Sequence, residues 1–127
     1  MLNRAMLIGR VSHAPLPFTQ DGELHVELSV ATIQTWRDPA TLERRLKTEW
    51  HRVFVSNPAL ARFAVENIRE GALVYCEGEI RGRSTVESAP PEHLEPGFVI
   101  GRFKSTLLLL SGRPHSFPAA RLSEAAD

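Results

Sequence analysis

The sequence predicts a mainly β fold in one domain, a five-stranded barrel with one helix between its third and fourth strands. Residues 23–30 alternate polar and apolar side chains strictly, which is typical of a half-buried strand. A single helix signal separates the third and fourth apolar segments, and 127 residues suffice for one core. Three strands, a helix and two strands is the element order of the OB-fold, a five-stranded Greek-key barrel.

The first strand is predicted over residues 2–11, an apolar run that ends at the two prolines of "SHAPLP". The turn "TQDGE" precedes the second strand, residues 23–30. The segment from Arg37 to Glu49 loses periodicity and contains a proline, so it is predicted to be a long exposed loop. The third strand follows from about Thr48 to Val55.

The helix signal is "SNPALARFAVENIREG". Asn57 is the expected N-cap, Pro58 occupies the first helical position, and apolar residues recur at helical spacing after it. Gly71 is the predicted C-terminal stop. This is the only segment of the sequence with a complete set of helix signals.

The fourth strand is predicted over residues 72–83 and the fifth over residues 98–110. Residues 84–97, with three prolines, are predicted to form a hairpin loop between them. The OB-fold domain is therefore predicted to span residues 1–111. Residues 112–127 are polar and contain proline, which predicts a disordered C-terminal tail.

Composition restricts the class of protein. The formal net charge is zero, so affinity for nucleic acid must come from a local distribution of charge. Cys76 is the single cysteine and lies in the strand-like "LVYCEGEI", which favours a buried thiol and a reducing cytoplasm. No apolar run approaches the ~20 residues of a membrane span, and the first residues lack a secretory signal pattern. We expect a cytoplasmic protein with no membrane contact.

No motif for catalysis or for a cofactor stands out. The sequence has no Gly-rich phosphate loop and no nucleophile with a base at motif spacing. The five histidines and the single cysteine show no metal-ligand spacing. We therefore expect no enzymatic activity, no cofactor and no metal.

The two tryptophans, Trp36 and Trp50, flank an Arg-rich segment. The period of a strand places Trp50, Arg52 and Phe54 on one face, while the valines on the other face indicate the barrel interior. An aromatic plane beside a guanidinium suits a base and its adjacent phosphate. The alternative is that each tryptophan belongs to the core or to an oligomer interface, and Phe54 on the same face keeps that alternative open.

Basic residues surround the tryptophans. Those between them are Arg37, Arg44, Arg45 and Lys47. Arg81 and Arg83 share one parity of the fourth strand, and Arg4 lies in the first strand. We predict that these side chains contact phosphates. The alternative for the segment between the tryptophans is a solvated loop whose charges are balanced by nearby carboxylates.

The chain resembles the bacterial single-stranded DNA-binding proteins. "NRAMLIGRV" looks like the opening strand of that family, and "SVATIQTWRDPATLERRLKTEWHRV" is similar to its second strand, loop and third strand. "IREGALVYCEGEIRGR" resembles the segment after its helix, and the likeness continues more loosely to "LLLLSGR". The resemblance implies an OB-fold that assembles as a homotetramer and wraps single-stranded DNA without strong sequence preference.

By position, Trp36 and Trp50 match two of the family's base-stacking aromatics. The positions that match basic residues near the DNA path are Arg4, Arg52, Arg81 and Arg83. His51 matches a histidine at a subunit contact, so the resemblance implies an oligomer interface there.

Three features depart from the family pattern. Ser56 and Thr85 stand where the family commonly carries further stacking aromatics. At ~1–3 kcal/mol per stacked base, their loss predicts weaker binding or a shorter site. The end, "AARLSEAAD", lacks the family's acidic run and apolar tip, which weakens the case for recruitment of partner proteins by that route.

Two functions stay open. The leading one is non-catalytic, largely sequence-independent binding of single-stranded DNA in DNA replication, repair or recombination, by a homotetramer or a dimer near the bacterial nucleoid. The other is an OB-fold assembly module resembling primosomal replication protein B, with weak single-strand binding. The departures at Ser56 and Thr85 motivate this second hypothesis.

Overall fold

The computed structural model describes residues 1–81, 97–101 and 105–111. Over these residues it contains one helix and seven strands. Their bounds are β1 (Ala5–Val11), β2 (Leu16–Gln20), β3 (Glu23–Arg37), β4 (Arg44–Val55), α1 (Pro58–Asn67), β5 (Leu73–Arg81), β6 (Gly97–Ile100) and β7 (Thr106–Ser111).

Five of the strands close into a barrel, which confirms the predicted fold class. β1 pairs with β3, β3 with β4, β4 with β6, β6 with β5, and β5 returns to β1. β2 is added outside this ring on β3, and β7 is added on β5. The helix lies between β4 and β5, as the sequence predicts.

The core is built from small branched side chains. The strands contribute fully buried valines and other aliphatic residues, among them Val30, Val53 and Val74. Helix α1 covers the core with Ala61 and Ala64. The face that looks into the barrel on each strand is therefore apolar, and the alternate residues are free to form a surface.

The helix begins as predicted and ends earlier than predicted. The Asn57 side chain accepts hydrogen bonds from the backbone N–H groups of Ala59 and Leu60, and Pro58 opens the helix. The helix ends at Asn67, one turn before the predicted stop. Gly71, with φ +87°, instead forms the turn into β5, where its N–H donates to the Val11 carbonyl at 2.7 Å.

The long exposed loop predicted from Arg37 to Glu49 is wrong. β3 continues to Arg37 and β4 begins at Arg44, so only residues 38–43 form the turn. Beyond the barrel most side chains on both faces of this hairpin are exposed, and the polar and apolar alternation that marks a strand is lost there. A continuous two-stranded β-hairpin, here called the β3–β4 arm, extends from the barrel.

Two further elements differ from the prediction. The sequence predicts a break in the strand at the two prolines of "SHAPLP", whereas the structure has the edge strand β2 there. An exposed edge strand tolerates proline because its unpaired side needs no N–H donor. The predicted fifth strand is two strands, which pair with different parts of β5: β6 with residues 79–81 and β7 with residues 73–77. The predicted hairpin loop over 84–97 lies outside the described residues except for Gly97, the first residue of β6. The predicted tail over 112–127 lies wholly outside them.

In the described part of the chain, no helix is long and apolar enough to cross a membrane, and no group of three or more potential ligands is placed to hold a metal ion.

Candidate nucleic-acid interface

The two faces of β4 are those that the sequence predicts. Val53 and Val55 are fully buried in the barrel, whereas Trp50 is 57% exposed. Arg52 is exposed and Phe54 is half-buried on the Trp50 side. The side of β3 and β4 that carries Trp50 is here called the outer face.

The two tryptophans lie on different faces of the β3–β4 arm. Trp50 pairs with Ala31 and Trp36 pairs with Arg45 in an unbroken antiparallel register. Residues 31 and 36 differ by an odd number, so their side chains point to opposite faces. Their pairs are about 17 Å apart along the arm, at ~3.4 Å per residue. Trp36 is 45% exposed and lies near the tip, in the last pair but one before the turn.

The predicted basic residues, like the two tryptophans, are divided between the two faces of the arm. By register, the residues on the outer face with Trp50 are Arg37, Arg44 and Arg52. Those on the opposite face with Trp36 are Arg45 and Lys47. The single basic segment of the sequence is therefore two basic surfaces.

Arg37 and Arg44 lie directly opposite each other at the end of the arm. Like charges in this position repel one another and destabilise a hairpin. The Arg37 guanidinium donates to the Leu42 carbonyl at 3.2 Å, and within the described ranges neither arginine forms an ion pair with a carboxylate. An anion between these two side chains would remove the repulsion.

The turn that holds these arginines is well built. Asp38 Oδ1 accepts from the N–H groups of Ala40 and Thr41, at 2.8 and 3.4 Å, and the Asp38 N–H donates to the Glu43 carbonyl at 2.8 Å. Leu42 adopts a left-handed conformation, with φ 61°, and its side chain is 65% exposed. The tip of the arm is thus a defined turn that contains one strained apolar residue.

Arg52 is engaged on two sides. Its Nε and one terminal nitrogen both donate to Glu27 Oε1, at 3.0 and 2.6 Å, and its guanidinium carbon lies 5.2 Å from the centroid of the Phe54 ring. The Arg52 side chain remains 61% exposed.

The other predicted cations form ion pairs. Lys47 Nζ lies 2.7 Å from Glu49, and this hydrogen bond lowers the pKa of the Glu49 carboxyl. Arg45 lies 3.6 Å from both Asp38 and Glu43. A phosphate must therefore compete with internal carboxylates for most of this surface.

Arg4 and Arg81 lie away from the arm. Arg4 pairs with Glu77 at 2.8 Å, on the outside of β5, and Arg81 pairs with Glu79 at 2.8 Å. β6 alone separates β5 from β4, so Arg81 is on a strand about 10 Å from β4. Arg83 lies outside the described residues.

Arg10 is a basic residue that the sequence analysis missed. It pairs with Ala31, which pairs with Trp50, so the three residues form one row across β1, β3 and β4. Its guanidinium donates to the Gly71 carbonyl at 2.9 Å. Arg10 and Val11 are neighbours in the first predicted strand, so their side chains point to opposite faces. With Val11 facing the barrel interior, this alternation would have placed Arg10 on the outer face.

His51 lies on the inward-facing side of β4, at the point where the barrel opens into the arm. Its Nε2 is 2.9 Å from the Thr32 hydroxyl and 3.8 Å from Glu49, and its side chain is 30% exposed. The structure thus gives it a hydrogen-bonded, half-buried setting within the chain, and its role at an oligomer interface stays a prediction.

A closed five-stranded barrel with exposed aromatic and guanidinium groups on one face defines an OB-fold protein of the oligonucleotide-binding class. The family model described as "Single-strand binding protein family" matches residues 2–92. The chain belongs to this family and is a non-catalytic binding protein.

Similar proteins agree with this assignment. The single-stranded DNA-binding protein of Rhizobium meliloti is 38% identical over 113 residues, which are 88% of this chain and 65% of that protein. The one of Rickettsia typhi is 34% identical over 113 residues, 88% of this chain and 74% of that protein. The chain thus spans about two thirds to three quarters of the length of these relatives.

Solved structures show the same fold. The Plasmodium falciparum SSB in complex with ssDNA has a TM-score of 0.72 and 29% identity, covering 87% of this chain and 96% of that chain. A deletion mutant of the single-stranded DNA binding protein from Thermus aquaticus has a TM-score of 0.62 over 88% of this chain and 53% of that chain. At 21% identity, this second likeness supports the fold alone.

Proposed function

We propose that this protein binds single-stranded DNA along the outer face of β3 and β4, by base stacking and by arginine–phosphate contacts, with little dependence on sequence. The observation that carries the proposal is Trp50, a large aromatic ring left 57% exposed on a strand whose other face is buried in the barrel at Val53 and Val55. A base stacked on this ring gains ~1–3 kcal/mol whatever its identity. Family membership and the relatives named for this activity support the same function.

Phosphate contacts are assigned first to Arg37 and Arg44. They share the outer face with Trp50, and their repulsion across the arm is relieved by an anion. Arg45 and Lys47 provide a second set on the face of Trp36, where a phosphate must displace a carboxylate. Arg4, Arg81 and Arg83 extend the proposed path on and beyond β5 as the sequence predicts.

A salt titration tests the phosphate contacts. For single strands the slope of log K against log[salt] is about −0.7 per phosphate contact. We expect the double variant Arg37→Gln with Arg44→Gln to bind oligo-dT more weakly and to flatten the slope by about 0.7 to 1.4. Arg62→Gln with Arg69→Gln, two exposed positions in and after the helix, is the matched control. An unchanged slope in the arm variant would remove these two arginines from the site.

Self-association is part of the proposal. Its support is an exposed apolar cluster on the outside of the β1–β5–β7 sheet, formed by Met6, Ile8, Leu108 and Leu110 around Tyr75. Contiguous exposed apolar groups of this kind mark interaction surfaces. We propose a homotetramer, with a dimer as the smaller alternative and His51 as an interface residue. Light scattering of the wild type and of Ile8→Glu tests it, since the variant should lower the measured mass.

The alternative function is an assembly module in which protein contacts matter more than DNA. The many cations that pair with carboxylates of the same chain favour it, because a phosphate gains less binding free energy from a guanidinium that is already paired. A dimer with micromolar or poorer affinity for oligo-dT would support this function. A tetramer with tight binding would reject it.

A protein that covers exposed single strands acts wherever duplex DNA is opened. We therefore propose a role in DNA replication, repair or recombination, at the nucleoid in the cytoplasm. The family membership supports the role, and the single cysteine, which is buried and forms no disulfide, suits a reducing cytoplasm.

A further inference from the structure

Two neighbouring side chains, Phe54 and Glu27, contact the Arg52 guanidinium. In the register of β3 and β4, Arg52 pairs with Ser29 and Phe54 pairs with Glu27. The Phe54 ring lies under the guanidinium, with 5.2 Å between the guanidinium carbon and the ring centroid, and Glu27 binds the guanidinium edge through Nε and one terminal nitrogen. Two independent contacts therefore restrict the rotation of a side chain that is usually mobile.

The same contacts change what Arg52 offers to a ligand. The Glu27 carboxylate, only 21% exposed, supplies a counter-charge at 2.6 Å, so a phosphate gains less at Arg52 than at a free arginine. The guanidinium plane is unaffected by this pairing. Phe54 lies against one side of the guanidinium, and the Arg52 side chain as a whole remains 61% exposed, which leaves it accessible to a ligand. Bases stack on such planes as they do on aromatic rings.

The position of Arg52 suits a second stacking surface. Trp50 and Arg52 are separated by the inward-facing His51, so both project from the outer face of β4. Their Cα atoms are about 7 Å apart, two residues along a strand. Two consecutive flat surfaces thus follow one another on the same side of the arm.

We propose that Arg52 binds a nucleobase by stacking, as a second platform beside Trp50, and that it is not a phosphate contact. Phe54 and Glu27 are positioning residues that support and orient its plane. This inference deepens the proposed function and rests on it, and it replaces the phosphate role that the sequence suggests for Arg52.

Arg52→Lys separates the two roles, because lysine keeps the charge and loses the plane. We expect its affinity for oligo-dT to fall roughly 5- to 150-fold, the range of one lost base stack. On an abasic deoxyribose-phosphate oligomer of equal length, we expect wild type and variant to bind equally. Arg62→Lys, an exposed arginine on the helix, is the matched control. Thermal unfolding and light scattering confirm that each variant keeps its fold and mass.

Arg52→Gln provides a second readout. If Arg52 stacks, removing its charge weakens binding to oligo-dT and leaves the slope of log K against log[salt] unchanged. A slope flatter by about 0.7 would assign Arg52 to a phosphate and overturn the inference. So would an Arg52→Lys variant that binds oligo-dT like the wild type. Absence of oligo-dT binding by the wild type at low salt would instead refute the proposed function itself.

Discussion

Trp36 and Trp50 lie on opposite faces of one continuous hairpin, Trp36 opposite Arg45 and Trp50 opposite Ala31. A straight run of bases along one face cannot stack on both rings. A single strand that uses both must pass around the edge or the tip of the β3–β4 arm, or each ring serves a different segment of the strand.

This separation predicts that the two rings contribute independently. Residues without shared partners at about 17 Å, the spacing of these pairs along the arm, have additive effects to within ~0.3–0.5 kcal/mol. We expect the losses of binding free energy in Trp36→Ala and Trp50→Ala to sum to the loss in the double variant. Fluorescence anisotropy with labelled oligo-dT measures all three. A coupling energy above ~1 kcal/mol would mean that the rings hold the same bases.

The left-handed residue at the tip of the arm predicts a stabilising substitution. Leu42 has φ 61° and is 65% exposed, so its side chain gains little while its backbone is strained. This conformation costs a non-glycine residue ~1–2 kcal/mol, and glycine loses ~0.5–1 kcal/mol more entropy on folding. Leu42→Gly should therefore raise the free energy of unfolding by about 0.5–1 kcal/mol in urea denaturation. Thr41→Gly, whose backbone is not left-handed, should lower it.

Close strand approach in the barrel predicts a glycine that cannot be replaced. A Cβ atom on Gly78 would lie 2.1 Å from the Val99 carbonyl oxygen, and the next nearest atoms, Val99 C at 2.8 Å and Ile100 Cα at 3.2 Å, are also backbone atoms that cannot move aside as a side chain can. We expect Gly78→Ala to lower the free energy of unfolding by more than ~2 kcal/mol, or to prevent folding. Among the described residues, the nearest atom to a Cβ on Gly101 belongs to the flexible Arg81 guanidinium, at 3.7 Å, so Gly101→Ala should be tolerated. Equal stability of the two variants would contradict the barrel geometry.

Internal carboxylates on the arm predict a variant that binds more tightly. Lys47 pairs with Glu49 at 2.7 Å, and this hydrogen bond lowers the pKa of the Glu49 carboxyl. A phosphate that binds Lys47 must first break this exposed ion pair, at a cost of ~0.2–1 kcal/mol, and removing the Glu49 carboxylate removes that cost. Glu49→Gln should raise affinity for oligo-dT about 1.5- to 5-fold at low salt, and Glu66→Gln on the helix should not. Weaker binding by Glu49→Gln would place the DNA path elsewhere.

The buried thiol predicts both reactivity and pH dependence. Burial raises the pKa of the Cys76 thiol from 9.0 to about 12. Ellman's reagent should therefore react with it only after unfolding. The thiol ionises more easily in the unfolded chain than in the folded one. The free energy of unfolding is therefore unaffected by this thiol below pH ~9 and falls as the pH rises from 9 towards 12. Cys76→Ala should show a weaker decline over this window in urea titrations, and rapid labelling of the native protein would contradict the burial.

The parts of the fold that the sequence predicts are those with one buried face. The strand ending at Val55 and the start of the helix are confirmed because burial imposes a period and because Asn57 and Pro58 are strong capping signals. The arm was missed because most side chains on both of its faces are exposed, which removes the period. The opposition of Trp36 and Trp50 depends on register, and the pairing of Arg52 with Glu27 joins residues 25 positions apart. Neither relationship has a local signal.

The most direct test of the proposed binding face is a titration of wild type and Trp50→Ala with oligo-dT at low salt, followed by tryptophan fluorescence and combined with light scattering of each protein. We predict that the wild type is quenched and that Trp50→Ala loses ~1–3 kcal/mol of binding free energy with unchanged mass and fold. A folded wild type without quenching, or a Trp50→Ala variant that loses its oligomeric state and keeps its intrinsic affinity, would contradict the assignment of Trp50 to the DNA.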